Sequence, residues 1–256
     1  YQMEVLEGLV DEVSQHGYTL TVVSERHLEK LGLGILDVFK LIRADGAVLL
    51  LLRSGGVPLP RADLPHPVVV VNRIVDGMDA DFVVADDEDG AYAATHHLIS
   101  LGHRSIAHLG GPSDNFNTMR RRRGFERALV DAGIPVLSRL IVSAPSISEE
   151  AGFRAMEKLM NKKEGFTAVF SAVDILTLGA MRLIESRGLS VPADISLMSF
   201  DDDTFASLVK PPLSTVQKPR YEMGRAAAHL LMNRIEGREA SRSVTSTMRT
   251  KLLVRS

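Results

Sequence analysis

The residues best placed to do chemistry are an arginine and an aspartate, each just past a short apolar run. Arg121 lies in the four-arginine stretch 120–123. Downstream, Phe125, Ala128, Leu129 and Ala132 recur at i, i+3, i+4 and i+7, the stripe a helix turns toward a core. At about 100° per residue Arg121 falls in line with that stripe and Arg120 and Arg123 fall opposite. Arg120, Arg122 and Arg123 therefore read as a solvated face, and Arg121 as an inward arginine in a helix's first turn. That helix begins just after the apolar run 105–109, and Asp201 directly follows the run 195–200. An inward guanidinium facing a carboxylate can hold a small polar molecule by charge-assisted hydrogen bonds, each end fixing orientation. Arg53, Ser54, Asn72, Arg73, Asn117, Val173, Asp174, Lys218 and Arg220 occupy similar places after apolar runs. Open α/β sheets bind ligands at the carboxyl ends of their strands.

Bond-making chemistry has no comparable signature. The sequence has no G-x-S-x-G elbow, no G-x-x-x-x-G-K phosphate loop and no H-E-x-x-H pair. Gly32 and Gly34, like Gly110 and Gly111, lack the third glycine and following acid of a dinucleotide site. His96, His97, His103 and His108 read as packing or surface groups, since neighbours on a helix do not face one another. The acids at 86–89 open a helix, where they complement its dipole, and this outweighs a metal site. No catalytic residue, metal or cofactor is expected. Lys+Arg 30 against Asp+Glu 32 lacks the basic surplus of a DNA-gripping domain. There is no cysteine to build a disulfide or thiolate site. That fits a reducing cytoplasm. No apolar run nears the roughly 18 residues of a membrane span, and no leader is visible.

The elements that must position these residues alternate. Helices are expected at 1–17, 31–42, 86–101, 149–161, 175–187 and 221–236, besides the arginine helix. Strands are expected at 20–23, 47–52, 67–71, 82–85, 105–109, 140–142, 168–171, 195–200 and 251–255, with an extended stretch at 211–216 and a proline-rich loop at 53–67. Asn117 or Thr118 is the expected cap of the arginine helix, and Asp174 that of helix 175–187. This alternation predicts an α/β architecture of two similar, doubly wound parallel-sheet lobes. Such a sheet needs a strand before the first helix, so upstream residues are expected.

The run HLISLGHRSIAHLGGP at 97–112, followed by RRRGFERALVDAGI at 121–134, resembles the effector-binding core of the lactose-repressor/galactose-repressor (LacI/GalR) family of bacterial transcription regulators. The tail PPLSTVQKPRYEMGRAAAHLLMNRIEG at 211–237 fits the same family, and similarity runs along the whole chain. The resemblance implies a type I periplasmic-binding-protein-like fold. Its lobes would be 1–84 plus about 220–246, and 85–219 plus about 247–256, joined by a three-crossing hinge around a ligand cleft. It implies no enzymatic activity, a helix-turn-helix domain upstream, operator DNA and a small-molecule effector as partners, a homodimer, and no membrane. Positions matching Asn72, Asn117, Arg121, Val173, Asp201 and Arg220 line the effector cleft in the family. The chain departs from the family where Val173-Asp174 stands for Asn-Asp, Lys218 for glutamine, and Arg220 for an apolar or aromatic residue. Valine offers no hydrogen bond. Arg73, Arg121, Lys218 and Arg220 together suggest a positively charged end, hence an effector with a carboxylate or phosphate beside the plain-sugar possibility. The alternative is a transport-associated solute-binding protein of the same fold.

Overall fold

In this computed structural model the described residues are 2–50, 64–162, 165–238 and 243–255. Contacts divide the chain into two compact units, Tyr1–Ala85 with Pro219–Met248, and Asp86–Lys218 with Arg249–Ser256.

The first unit carries helices α1 (Gln2–Gln15), α2 (Glu25–Leu31), α3 (Ile35–Ile42) and α8 (Arg220–Ile235) and strands β1 (Ala47–Leu50), β2 (Val68–Val71), β3 (Asp81–Ala85) and β9 (Thr245–Met248). The strands form one parallel sheet in the order β1-β2-β3-β9. β2 is four buried valines, the composition of a strand covered on both faces. Its alternate side chains serve two cores: Val69 and Val71 meet α1 and α8, while Val68 and Val70 meet α3. Arg234 of α8 fastens the sheet by gripping buried Asp81 with two hydrogen bonds of 2.8 Å.

The second unit carries α4 (Asp87–Ser100), β4 (Ile106–Gly110), α5 (Phe116–Asp131), β5 (Ile141–Ser143), α6 (Glu149–Met160), β6 (Ala168–Ser171), α7 (Asp174–Ser186), β7 (Ser196–Met198), β8 (Thr215–Gln217) and β10 (Lys251–Leu253). Its main sheet is parallel, in the order β5-β4-β6-β7, and β8 pairs antiparallel with β10. The chain leaves β4 toward β5 on one side and then returns to β6 on the other. This reversal makes a topological switch point, where strand ends part and leave a crevice. Ala107, Leu109 and Val169 pack under α6 and α7, and Ile106, Ala168 and Phe170 under α4 and α5. α4 and α5 can touch because Gly124 has no side chain: a Cβ there would lie 2.0 Å from the Glu88 carbonyl oxygen.

Several expectations need correction. Residues 20–23 form no strand: they find no hydrogen-bonded neighbour among the described residues, and Val22 is exposed. The expected helix 31–42 begins late, at Ile35 of α3, and α2 over Glu25–Leu31 was not expected. Gly32, at φ +66°, ends α2 in the left-handed conformation that glycine adopts freely, with its N–H on the Leu28 and Glu29 carbonyls. The arginine helix starts earlier than expected: Asn115, not Asn117 or Thr118, caps it, accepting from the Asn117 and Thr118 N–H groups at 3.1 Å. Val173 occupies the cap position of α7, so Asp174 is that helix's first residue. β9 was not expected; Thr-Ser-Thr-Met has no strong apolar alternation, and pairing with β3 makes it a strand. Most of the expected loop 53–67, with Arg53 and Ser54, lies outside the described residues, as do the last two positions of the expected strand 47–52.

Candidate functional site

Arg121 is the hub of the second unit. Its side chain is 3% exposed, consistent with the inward projection from the stripe. Nε donates to Asp87 Oδ1 at 2.7 Å, Nη2 to Asp201 Oδ1 at 2.8 Å, and Nη1 to the Ala172 carbonyl just past β6. The guanidinium also lies over the Phe200 ring, 3.8 Å from its centroid, a cation–π arrangement in a desolvated place. One side chain thus ties together α4, α5 and the segments following β6 and β7. Burial alone would lower the arginine's pKa; the charges of Asp201 and Asp87 outweigh it and hold the pKa above its ordinary value.

Lys218 is buried, and its ammonium sits 3.8 Å from Asp87 Oδ1. Asp87 therefore faces two cations through one oxygen. Its other oxygen, Oδ2, is buried and finds no hydrogen-bond partner among the described residues. The same holds for Asn117 Oδ1, in the first turn of α5, four residues before Arg121 and so on the same helix face. A buried acceptor left unmet costs free energy. Two such acceptors, one on the partner of the Arg121 guanidinium and one a helical turn before it, suit a ligand that brings O–H or N–H donors.

A third carboxylate lies close by. Asp174 is fully buried and accepts from the Asp203 N–H at 2.7 Å and from the Thr215 hydroxyl at 2.9 Å. Burial first, then the charge of Asp201, push its pKa from 3.8 to about 7, against the opposing pull of the Ser199, Asp203 and Thr215 hydrogen bonds. The folded protein thus holds a proton on Asp174 that the unfolded chain gives up at lower pH. Stability from this group is fully present below about pH 4 and is lost as pH rises toward 7. Relative to Asp174→Asn, the wild type is expected to lose roughly 4 kcal/mol of unfolding free energy over that interval, at about 1.4 kcal/mol per pKa unit. Urea unfolding of both proteins at pH 4, 5.5 and 7 checks this, and a difference independent of pH contradicts it.

The remaining expected residues divide between the units. Val173 is buried at the start of α7, and no side-chain hydrogen bond caps that helix. In the first unit, Asn72 is buried just after β2 at φ +78°, a conformation asparagine tolerates, with its N–H on the Val83 carbonyl at 2.8 Å. Arg73 follows it, half-buried. Arg220 opens α8, buried, and pairs with Glu4 of α1 at 3.0 Å. The expectation of an uncompensated positive end therefore needs correction. In the second unit Arg121 lies against Asp87 and Asp201 and Lys218 against Asp87, and in the first unit Arg220 has Glu4. Sequence reasoning also missed Asp87. It treated 86–89 as acids serving a helix dipole, but Asp86 is the cap and Asp87, one residue on, turns inward.

This fold has counterparts. Residues 95–256 match the periplasmic binding protein-like domain. The HTH-type transcriptional repressor CytR of Escherichia coli K12 is 30% identical over 98% of this chain and 74% of its own length. The HTH-type transcriptional repressor PurR of Aliivibrio fischeri ES114 is 32% identical over 94% and 72%. Among solved structures, a complex of the transcriptional regulator CelR with cellobiose superimposes with a TM-score of 0.88 at 30% identity, covering 99% of this chain and 77% of that one. A LacI family transcriptional regulator from Enterococcus faecium with bound ribose gives a TM-score of 0.78 at 25% identity, covering 99% and 92%. The chain belongs to the LacI family of transcriptional regulators and comprises its periplasmic-binding-protein-like core.

Proposed function

We propose that this chain is the metabolite-sensing part of a bacterial transcription regulator and that it performs no bond chemistry. The small molecule is proposed to bind at the strand ends of the second unit, where Arg121, Asp201, Asp87, Asn117 and Lys218 offer donors and acceptors, Val173 an apolar wall. In the first unit, Asn72, Arg73 and Arg220 are proposed as effector-contacting residues in their own right. The observation that carries this reading is the pair of unmet buried acceptors, Asp87 Oδ2 beside the buried Arg121 and Asn117 Oδ1 one turn before it on α5. A ligand bearing hydroxyl groups satisfies both. The balance of cations and carboxylates favours a neutral polyhydroxylated ligand, a sugar or sugar-like metabolite, over an acidic or phosphorylated one. The relatives crystallised with cellobiose and ribose are in keeping with that preference.

Binding is proposed to act by shifting the population between two conformations of the core. In the full regulator, a cytoplasmic homodimer, that shift would alter affinity for operator DNA held by a separate domain. The test is a thermal-shift screen of neutral sugars, including cellobiose and ribose, each beside its phosphate ester. The reading expects a neutral member to raise the melting temperature more than its ester does. A consistent advantage for the esters overturns the neutral-ligand part of the reading.

A further inference from the structure

Two successive residues of the second unit hold a backbone that side-chain-bearing residues rarely adopt: Asp201 at φ +118° and Asp202 at φ +58°. Such a turn persists only when its surroundings over-determine it. The carboxylate of Asp202 shows how. Oδ1 accepts from Arg255 Nη2 at 2.7 Å and Oδ2 from the Gln217 amide at 3.0 Å. Both donors are themselves anchored. Arg255 gives Nη1 to the Leu213 carbonyl at 2.8 Å and its backbone N–H to the Ser214 hydroxyl at 2.9 Å. Gln217 ends β8, whose Val216 carbonyl takes the Asp201 N–H at 2.9 Å. Asp202 is thus clamped from two sides while its neighbour points its carboxylate at Arg121 Nη2.

We infer that Asp202 is a positioning residue: clamped by Arg255 and Gln217, it holds the left-handed turn that keeps the Asp201 carboxylate on Arg121. Without the clamp, an alanine at 202 relaxes toward negative φ and the Asp201 side chain swings off the guanidinium. A glycine at 202 keeps φ near +58° without strain and so preserves the aim of Asp201 despite losing both side-chain bonds. The opposite behaviour of alanine and glycine is the mark of a backbone role, since a contact role would be lost equally in both.

The inference bears on the proposed effector site, but its test needs no effector. Arginine side-chain nitrogen NMR of the whole chain reads the Arg121 Nη2 protons, which are expected to be resolved and slow to exchange while Asp201 holds them. Methyl groups packed on Phe125 and Phe170 report the core. Asp202→Ala is expected to broaden the Nη2 signals beyond detection with the core methyls unmoved, and Asp202→Gly to retain them. Should Asp202→Ala not fold, Arg255→Gln removes one arm of the clamp at the surface and is expected to speed Nη2 exchange at least tenfold. Retention of wild-type Nη2 signals in Asp202→Ala, or in Arg255→Gln where that stands in, overturns the inference. Equal loss in the alanine and glycine variants overturns it too.

Discussion

Replacing Arg121 with alanine is expected to lower the unfolding free energy by roughly 3–5 kcal/mol, the cost of leaving buried charges without their partner. Asp87 is fully buried and Asp201 mostly so, and the substitution removes a charged hydrogen bond shorter than 3 Å from each. The Ala172 carbonyl loses its guanidinium, and the Phe200 ring loses the cation stacked on it. Arg154, whose pair with Glu150 lies in solvent, is the contrast: its replacement by alanine is expected to change stability immeasurably. Urea unfolding of the two variants beside the wild type checks both. A loss below about 1 kcal/mol for Arg121→Ala would mean that the ion cluster contributes no more than an exposed pair.

Gly124→Ala is expected to be the next most damaging change. The added methyl would sit 2.0 Å from the Glu88 carbonyl oxygen, 2.9 Å from the Tyr92 nitrogen and 3.0 Å from Ala91 Cβ. Two of those atoms are backbone and cannot rotate away, so α4 and α5 must separate. Alanine gains about 1 kcal/mol over glycine in a helix interior, but overpacking of this kind costs about 1–3 kcal/mol or more. A contact of 2.0 Å with a backbone oxygen puts the cost at about 3 kcal/mol or more, so a net loss of at least about 2 kcal/mol follows. The consequence reaches the site as well, because Asp87 precedes Glu88 on α4 and Arg121 lies three residues before Gly124 on α5. The helices cannot part at their crossing without lengthening the 2.7 Å bond between the two side chains. Denaturant unfolding gives the stability, and Arg121 Nε–Hε exchange gives the bond. Wild-type values for both would refute the close-approach argument.

What the sequence makes readable is whatever periodicity or local chemistry encodes. The stripe Phe125, Ala128, Leu129 and Ala132 predicts that Arg121 turns inward, and the structure buries it. The valine run of β2 announces a strand covered on both faces. Asp87 escapes that kind of reading, since four acids opening a helix look alike until packing selects the one facing the core. β9 escapes because its strand character comes from a neighbour distant in sequence. α2 escapes because ERHLEKL is short and mostly charged, and the late start of α3 follows from Gly34, which stands at its cap. The charge of the site was the least legible feature. Counting arginines and lysines at strand ends gives a positive surface; Asp201 was expected against Arg121, but Asp87 and Glu4, which also face these cations, were not.

The account depends on Arg121 meeting a small molecule. Alanine is a poor probe of that, because it dismantles the cluster; lysine keeps the charge and sacrifices the fork. The decisive measurement is calorimetric titration of the sugar giving the largest thermal shift into wild type and Arg121→Lys, with folding of the variant verified by its melting curve. The account predicts one molecule bound per chain and a Kd at least about tenfold weaker in the variant, or about 1.4 kcal/mol. An unchanged Kd would contradict it.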